Sequence, residues 1–288
     1  MSITESILRD IPLAVVDTET TGASAAFCDR VCEVGIVRVE GGREVDRYQA
    51  LINPMRPISP GASAITGITN EMVADAPEFS SLLPRILPML RGAVLMGHNV
   101  AFDLSFLHTE FRRCRRKLAD ELLVPAALDT VRIARRRFGR GGNSLPILAR
   151  RLGIEPTLSH RALADAQTTL AVFGALMAPV GGFEVSWAIA LEQQGGAVDV
   201  LAAERRPAMP LELEEALLEQ GQVEMEYIAD GGEITRRIIR PLRIRRRDGQ
   251  LSLVAFCQLR GGQRIFRVDR IVRLNRIDPD TQLPAEPA

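Results

Sequence analysis

The sequence has few of the residues that build disulfide-rich or zinc-binding scaffolds. Its 288 residues include only four Cys and three His, and the Cys are scattered without a CxxC pair. That spacing argues against a disulfide framework and against a structural zinc site. We interpret the thiols as reduced cysteines of a cytoplasmic protein. They are Cys28, Cys32, Cys114 and Cys257.

Long apolar runs and a charge excess are missing as well. No uninterrupted apolar run reaches membrane-spanning length, and the N-terminus lacks the pattern of a signal peptide. We therefore expect a cytoplasmic location and no membrane partner. The formal net charge is zero, but Lys117 is the only Lys, so that 35 of the 36 basic residues are Arg, a side chain suited to phosphate binding.

The apolar content is sufficient for buried cores, since 46% of the residues are hydrophobic and 25% are charged. A chain of this length accommodates two domains. We predict a first domain over residues 1–177, a linker with Gly pairs and Pro over 178–210, a second domain over 211–278, and a disordered tail over 279–288. The only Trp, Trp187, lies in the linker, and we expect it to dock on a domain without a ligand role.

The first domain is predicted to be α/β. Three strand-like segments separated by turns come first, and strand–helix alternation follows, a pattern typical of a mixed sheet with flanking helices. The first strand, residues 13–16, runs directly into Asp17 and Glu19. Side chains two residues apart on a strand point to the same face, so these two carboxylates converge, and a divalent cation between them would offset their repulsion.

Two more acids and one His stand in comparable places. Asp103 follows an apolar strand in the first turn of a helix, and Asp165 lies near the start of a later helix, five residues after His160. If the four carboxylates converge, they form an oxygen cage suited to Mg²⁺ or Mn²⁺. Two such ions would support phosphoryl displacement by water, whose proton a neutral His could accept.

Three motifs containing these residues, VVDTETTG, HNVAFD and HRALADA, occur in order within residues 10–177. Together they resemble the motifs of the DnaQ-like 3′→5′ exonucleases of the DEDDh subgroup, which have a ribonuclease H-like fold and include the DNA polymerase III epsilon subunit. The resemblance implies that Asp17, Glu19, Asp103 and Asp165 bind two Mg²⁺ or Mn²⁺ ions. It also implies that His160 is the general base.

The same resemblance implies a substrate site for the 3′-terminal nucleotide. Thr18, Thr20 and Phe102 would line the pocket, and the loop that contains Ile65 would wedge the terminal base. Asn99 would order the second motif or contact the substrate. The implied reaction is hydrolysis of DNA from its 3′ end to nucleoside 5′-monophosphates, in repair, replication or nucleic-acid turnover.

The second domain resembles a WYL domain, a small Sm/SH3-like β-barrel. The resemblance rests on Tyr227 and on the segments at residues 237–241 and 264–271, whereas the triplet that gives the domain its name is replaced by Leu-Ser-Leu at 251–253. Residues 234–277 contain 13 Arg and two Asp, a formal charge of +11. We expect this surface to bind single-stranded nucleic acid or another ligand, unless its Arg pair with the acidic segment at 212–226.

Two other functions remain open at this stage. The same chemistry could act on RNA, because the motifs do not encode recognition of the 2′-hydroxyl group. Alternatively, the chain could be a regulatory protein that senses nucleic acid through the WYL-like domain, although four mutually repelling carboxylates argue for catalysis. The sequence gives no specific support for association with a DNA polymerase.

Overall fold

A computed structural model describes residues 3–22, 25, 29–155, 160–203, 211–229, 231–247 and 250–277. The chain divides into two compact units, Met1–Met209 and Pro210–Ala288. Cys28 and the predicted tail lie outside the described residues, as do residues 204–210 of the predicted linker. The other three cysteines are free thiols.

A six-stranded mixed sheet forms the centre of the first unit. Its strand order is β3-β2-β1-β4-β5-β6, with β1, β4 and β5 parallel and the remaining pairings antiparallel. The predicted mixed α/β sheet is therefore confirmed. The strands are β1 Leu13–Thr20, β2 Val31–Glu40, β3 Arg43–Leu51, β4 Val94–Gly97, β5 Ala126–Asp129 and β6 Val198–Asp199.

Helices flank this sheet, and several begin at a side chain that accepts a backbone N–H. Ser59, Thr69, Asp129 and Ser186 each do so at an N-cap position. The helices are α1 Pro60–Thr66, α2 Asn70–Ala74, α3 Phe79–Leu90, α4 Val100–Arg113, α5 Thr130–Phe138, α6 Leu145–Arg151, α7 Ala162–Met177, α8 Trp187–Gln194 and α9 Val200–Ala203. Short 3₁₀ turns lie at Ile3–Glu5, Leu8–Asp10, Leu118–Glu121, Ala178–Val180 and Gly182–Glu184.

The alternation of side chains along β1 creates two hydrophobic cores. Leu13 and Val15 pack in a cluster with buried residues of α5 to α8, whereas Ala14 and Val16 pack in a second cluster with α3 and α4. Because β1 is buried on both faces, its position is fixed by packing from two sides. The polar residues at its C-terminal end thus extend from a rigid strand.

The predicted linker differs from the structure over residues 178–203. This segment contains α8, α9 and β6, the last of which pairs with β5. Trp187 is 3% exposed in the core, and Gln194 is buried and bonded to the backbone of β5. Gly pairs at 181–182 and 195–196 suggested a linker, but they only bound α8, whose apolar residues complete the core. The segment belongs to the first unit, and Trp187 docks there as expected.

One helical stretch of the described residues, Ala162–Val180, is long and apolar enough to meet a simple test for a membrane span. It carries Asp165, and α7 packs on β1 and β2. A helix that packs in the core of a globular unit meets the same test, so the stretch is weak evidence for a membrane span.

The second unit is an antiparallel sheet of order β10-β9-β8-β7-β11, preceded by a helix. Its inner face buries Met225, Ile239, Leu253 and Phe266, and Leu213 of the helix is also buried. The closure of the sheet into an Sm/SH3-like barrel stays a prediction. The elements are α10 Leu211–Glu219, β7 Val223–Ile228, β8 Ile234–Arg247, β9 Gln250–Cys257, β10 Gly262–Arg267 and β11 Ile271–Arg276, with 3₁₀ turns at Gln258–Arg260 and Val268–Arg270.

The structure differs from the sequence prediction at two places in this sheet. The sequence has strand-like runs at residues 234–240 and 242–246, on either side of Pro241, but they form one strand, β8, with an irregular register between Pro241 and Arg243. A bulge there accommodates a residue that has no N–H to donate. The last strand-like run in the sequence is at 264–270, whereas in the structure a further strand, β11, begins at Ile271.

Candidate active site

The end of β1 brings two of the predicted metal ligands together, and α7 adds a third. Asp17 and Glu19 share one face of β1, as the strand periodicity predicts. One carboxylate oxygen of each, together with one of Asp165, lies within 4.8 Å of the others. Residues from two distant parts of the chain therefore form one acidic cluster.

Asp103 is held against the same strand through Thr18. It is 3% exposed in the first turn of α4, and its Oδ1 accepts hydrogen bonds from the backbone N–H of Thr18 at 2.9 Å and from Thr18 Oγ1 at 2.8 Å. Thr18 stands between Asp17 and Glu19, so this contact fixes the fourth carboxylate beside the other three. The structure thus places all four predicted acids at one end of the sheet.

Gly35 allows the start of α7, which contains Asp165, to pack closely against β2 beside the acidic cluster. Gly35 pairs with Asp17 across β1 and β2, and a Cβ atom built on it would lie 2.2–2.4 Å from backbone atoms of Ala162 and Leu163. No side chain fits in that space, since real Cβ atoms do not approach backbone this closely. The absence of a side chain at position 35 therefore sets how closely α7 approaches the acidic cluster.

Burial raises the pKa of every acid in the cluster, and repulsion from nearby carboxylates adds to the effect. Burial is the main cause for each; it raises the pKa of Glu19 to about 8, of Asp103 to about 7 and of Asp165 to about 6. The pKa of Asp17 is also raised well above its usual value, by burial and then by Asp103, Glu19 and Asp165. In the metal-free protein, burial therefore disfavours the ionised form of these four carboxylates.

These donors fit a hard divalent cation. All four are carboxylates, whose oxygens are the ligands that Mg²⁺ and Mn²⁺ prefer, and none of them is a thiolate or an imidazole. A bound cation would favour the charged form of each acid and would offset the repulsion among them. Asp17, Glu19, Asp103 and Asp165 are therefore the residues that could hold metal.

His160 lies two residues before the start of α7 and is exposed. Its backbone has a φ of 63°, and its N–H donates to Asp165 Oδ2 at 2.9 Å. The sequence placed His160 beside the cage as a candidate base, and the structure places its backbone in contact with one cage member. A non-glycine residue in this left-handed conformation is uncommon and is often found at functional sites.

The predicted substrate residues lie around the same end of the sheet or support it. Thr18 orders Asp103, while Thr20 Oγ1 donates to the carbonyl of Gly22 at 2.7 Å and holds the turn. Ile65 is 41% exposed on α1, whose N-cap Ser59 is bonded through its N–H to the carbonyl of Thr21.

The other two predicted substrate residues belong to the beginning of α4. Asn99 has a φ of 61°, and its N–H donates to Asp129 Oδ1 at 3.0 Å. Phe102 is half-buried, and its ring centroid lies 5.0 Å from that of Phe106.

Two acids that support the site were missed by the sequence analysis. Glu33 is fully buried in β2, opposite Glu19. Asp129 ends β5 and accepts the N–H groups of Asn99 and Val131, and burial raises its pKa to about 6. Asp129 had a usable signal, because it follows an apolar strand in the same way as the cage acids. Glu33 gave no such signal, since an acid inside an apolar strand has no obvious partner in sequence.

The other two histidines, His98 and His108, and two arginine-rich segments, residues 112–117 and 135–137, make contacts within the fold. His98 Nδ1 is 2.8 Å from Thr130 Oγ1, and burial lowers the pKa of His98 to about 4. His108 Nε2 donates to the carbonyl oxygen of Val200 at 2.6 Å. Residues 112–117 begin in the last turn of α4, and residues 135–137 lie in the last turn of α5. Arg137 donates to the carbonyls of Ala175 and Leu176 near the end of α7, which gives it a structural role.

Comparison with known proteins agrees with this geometry. The family profile of the RNase T exonucleases matches residues 14–173, and the WYL domain profile matches residues 210–276. A protein of Mycobacterium tuberculosis named as a bifunctional exonuclease/endonuclease is 37% identical over 185 residues, 62% of this chain and 28% of that protein. The PolC-type DNA polymerase III of Thermotoga maritima is 36% identical over 169 residues, 59% of this chain and 12% of that protein.

Solved structures share the fold. The nuclease domain of 3′hExo, a DEDDh family member bound to rAMP, superposes with a TM-score of 0.51 at 18% identity, covering 60% of this chain and 94% of that chain. Exonuclease I of E. coli in complex with a dA16 oligonucleotide gives a TM-score of 0.52 at 16% identity, covering 85% and 55%. The match to the exonuclease profile spans more than half of the sequence. The chain therefore belongs to the RNase T exonuclease family, and a WYL domain follows its exonuclease domain.

Proposed function

We propose that the first unit hydrolyses DNA from its 3′ end and releases nucleoside 5′-monophosphates, using two Mg²⁺ or Mn²⁺ ions. The observation that carries this proposal is the convergence of Asp17, Glu19 and Asp165, with Asp103 fixed beside them by Thr18. The PolC-type relatives are named as DNA polymerases, which supports DNA as the polymer. The chain covers about a quarter or less of the length of these relatives, so the role in DNA repair, replication or turnover is part of the proposal.

The residues of the site would divide the chemistry among them. Asp17, Glu19, Asp103 and Asp165 would hold the metal ions, which when bound supply charge stabilisation for in-line displacement at phosphorus. His160 would accept a proton from the attacking water at an imidazole nitrogen. Water then forms the new bond to phosphorus, and the bond from phosphorus to the 3′ oxygen of the preceding nucleotide breaks.

The substrate would enter beside the same strand end. Ile65, which is exposed on α1, would contact the terminal base, and the half-buried ring of Phe102 would form an apolar wall. Thr18 and Thr20 lie at the end of β1, where backbone and hydroxyl groups would meet the terminal nucleotide. Asn99 would order the turn that leads to Asp103, because its backbone is anchored on Asp129.

Digestion of end-labelled polymers tests this function. We expect wild-type protein with Mg²⁺ or Mn²⁺ to shorten 5′-labelled single-stranded DNA one nucleotide at a time from the 3′ end, and to stop when EDTA is added. RNA of the same sequence and duplex DNA are compared in parallel. Stepwise shortening of RNA alone would replace DNA by RNA in the proposal. Tight binding without shortening of any polymer would instead favour a nucleic-acid sensor.

We further propose that the second unit closes into an Sm/SH3-like barrel and binds single-stranded nucleic acid through β8. Arg240, Arg243 and Arg245 are exposed on this strand, and the Arg240 guanidinium lies 6.0 Å from the ring centroid of Phe256, which is 37% exposed. A cationic surface with a stacked aromatic ring suits a polyanion whose bases are accessible. Tyr227 is not available for such stacking, since it is 9% exposed and packs on Phe266.

Charge-removing variants of β8 test this binding surface. In full-length protein carrying Asp17→Asn, replacing Arg240, Arg243 and Arg245 by Gln is expected to weaken binding of a fluorescent oligonucleotide about tenfold or more, and to reduce the salt dependence of the affinity. Arg236→Gln is a matched control, because Arg236 pairs with Glu226 at 3.1 Å in the same sheet. Equal affinity and equal salt dependence of the triple variant and the control would contradict this role of β8.

A further inference from the structure

His160 has a backbone conformation that its neighbours must maintain. Its φ of 63° lies in the left-handed region, which disfavours any residue with a Cβ atom. On one side, the His160 N–H is bonded to Asp165 Oδ2. On the other side stands Arg161, whose side chain is fixed by a buried carboxylate. The segment is therefore held at two points within six residues.

Glu33 is the buried carboxylate. Arg161 Nη2 donates to Glu33 Oε1 at 2.7 Å, and Arg161 Nε lies 3.1 and 3.2 Å from the two Glu33 oxygens. The Ala162 N–H donates to Glu33 Oε2 at 3.0 Å. Charge-assisted bonds of this bidentate kind fix geometry as well as contribute energy. A single side chain of β2 thus contacts both residues that follow His160.

Glu33 itself is firmly positioned. Its side chain is fully buried in β2, and Gln49 of β3 donates to Glu33 Oε1 at 2.8 Å. Glu33 stands opposite Glu19 in the pairing of β1 and β2, so it lies next to the acidic cluster. Its oxygens already accept bonds from Arg161, Ala162 and Gln49, which uses the lone pairs that a metal ion would need. Its position next to the cage therefore does not make it a further ligand.

We propose that Glu33 is a positioning residue that clamps Arg161 and Ala162 and thereby holds His160 in place for catalysis. The clamp connects the central sheet to the start of α7, between the proposed base, which precedes the helix, and Asp165 in its first turn. This inference rests on the proposed function, because it takes His160 to be the proton acceptor. Glu33 would then affect the rate of hydrolysis only indirectly, through the position of His160.

A double-mutant cycle in the full-length protein tests the clamp. Glu33→Gln keeps the size of the side chain and an acceptor for the Ala162 N–H but removes the charge that Arg161 binds. We expect it to lower kcat for 3′ shortening of single-stranded DNA about 10–100-fold, the range typical of groups that orient catalytic ligands, with KM changed less than about threefold. In a His160→Ala background the same substitution should change kcat less than about threefold, since no base remains to be positioned.

A matched buried pair supplies the control. Arg30 and Glu110 form a bidentate pair at 2.6 and 2.8 Å, and Glu110 is 1% exposed. Glu110→Gln should lower thermal stability comparably and leave kcat within about threefold of wild type. If Glu33→Gln does not fold, Arg161→Lys replaces it in the cycle, since Lys keeps the charge but loses the bidentate geometry.

The outcomes separate the clamp from the proposed function. Multiplicative losses, in which Glu33→Gln lowers kcat as much without His160 as with it, would overturn the clamp while leaving the exonuclease assignment intact. A fully active His160→Ala variant would also overturn it, because nothing would need positioning. A wild-type protein that shortens no polymer would overturn the proposed function and the clamp with it.

Discussion

Asp17→Asn is expected to abolish the proposed hydrolysis while making the metal-free protein more stable. Asn has nearly the same size as Asp but carries no charge, so the fold is retained and the metal ions lose a central ligand. Removal of one member of a set that acts as a unit lowers kcat by orders of magnitude, here about 10³-fold or more. Asp17 is suited to this test because one of its carboxylate oxygens lies within 4.8 Å of an oxygen of Glu19 and of one of Asp165.

The gain in stability follows from the electrostatics of the cluster. The pKa of Asp17 is raised by burial and by the neighbouring acids, which means that its charged form is disfavoured in the folded state. Asn removes the cost of burying that charge or of protonating the carboxylate when the chain folds. Relief of this kind at a functional site is commonly worth about 0.5–2 kcal/mol, and for a unit of this size each kcal/mol raises Tm by about 2–4 °C.

The pH dependence of stability has a definite sign. The folded-state pKa values of Glu19, Asp103 and Asp165, about 8, 7 and 6, all lie above the usual values of free carboxyl groups. Between about pH 4 and pH 8 these acids therefore bind more protons in the folded state than in the unfolded state, and their contribution to the free energy of unfolding falls as pH rises. Metal-free wild type should have a lower Tm at pH 8 than at pH 5, and Asp17→Asn should reduce that difference.

Thermal unfolding with and without Mg²⁺ or Mn²⁺ measures these effects. Metal should raise the Tm of wild type more at pH 8 than at pH 5, because the acids must be ionised to bind it, and it should affect Asp17→Asn much less. Asp46→Asn, at an exposed position of β3, is the control and should leave activity and Tm near wild type. An Asp17→Asn protein that retains wild-type hydrolysis would refute the assignment of the site.

The acids of the site could be predicted because each stands at the end of an apolar segment. Asp17 and Glu19 follow the apolar run that begins β1, Asp103 comes soon after the apolar strand β4, and the order of the three motifs supplied Asp165. Strands β1 to β5 of the first sheet were predictable for the same reason, since apolar periodicity reports burial, whereas β6 lies in the segment that was predicted to be a linker. Local sequence thus predicts where strands and helices lie and which polar residues stand at their ends.

The supporting residues could not be predicted, because their roles depend on contacts between distant segments. Glu33 acts on Arg161, 128 residues away, and Gly35 matters only because α7 crosses β2 at that point. The segment at 178–203 was misjudged for a related reason. Its Gly pairs are a local signal for a linker, whereas the burial of Trp187 and Gln194 depends on surfaces made by earlier residues. The hydrophobic periodicity of a segment does not reveal which distant residues that segment packs against.

Gly35→Ala is expected to reduce activity strongly through a single methyl group. The added Cβ would lie 2.2–2.4 Å from the backbone of Ala162 and Leu163, and backbone atoms cannot rotate away as a flexible side chain can. Either α7 or β2 must move, which typically costs about 1–3 kcal/mol in a packed interior. Because Asp165 is in the first turn of α7 and Asp17 is opposite Gly35, the displacement would separate two ligands of the cage.

A displacement of this kind affects rate more than it affects folding. A shift of about 1 Å in reacting groups can lower a rate about 10²-fold, so we expect at least that loss in kcat, with weaker metal binding and a Tm lowered by several degrees. Gly174→Ala is the matched control, because Gly174 lies in the same helix and a Cβ there meets no atom within 4 Å. Since Ala favours helix over Gly by about 1 kcal/mol, this control should be more stable and fully active. If Gly35→Ala were as stable and as active as Gly174→Ala, the position of Asp165 would not depend on close contact between α7 and β2. Other contacts of α7 would then have to hold Asp165 in place.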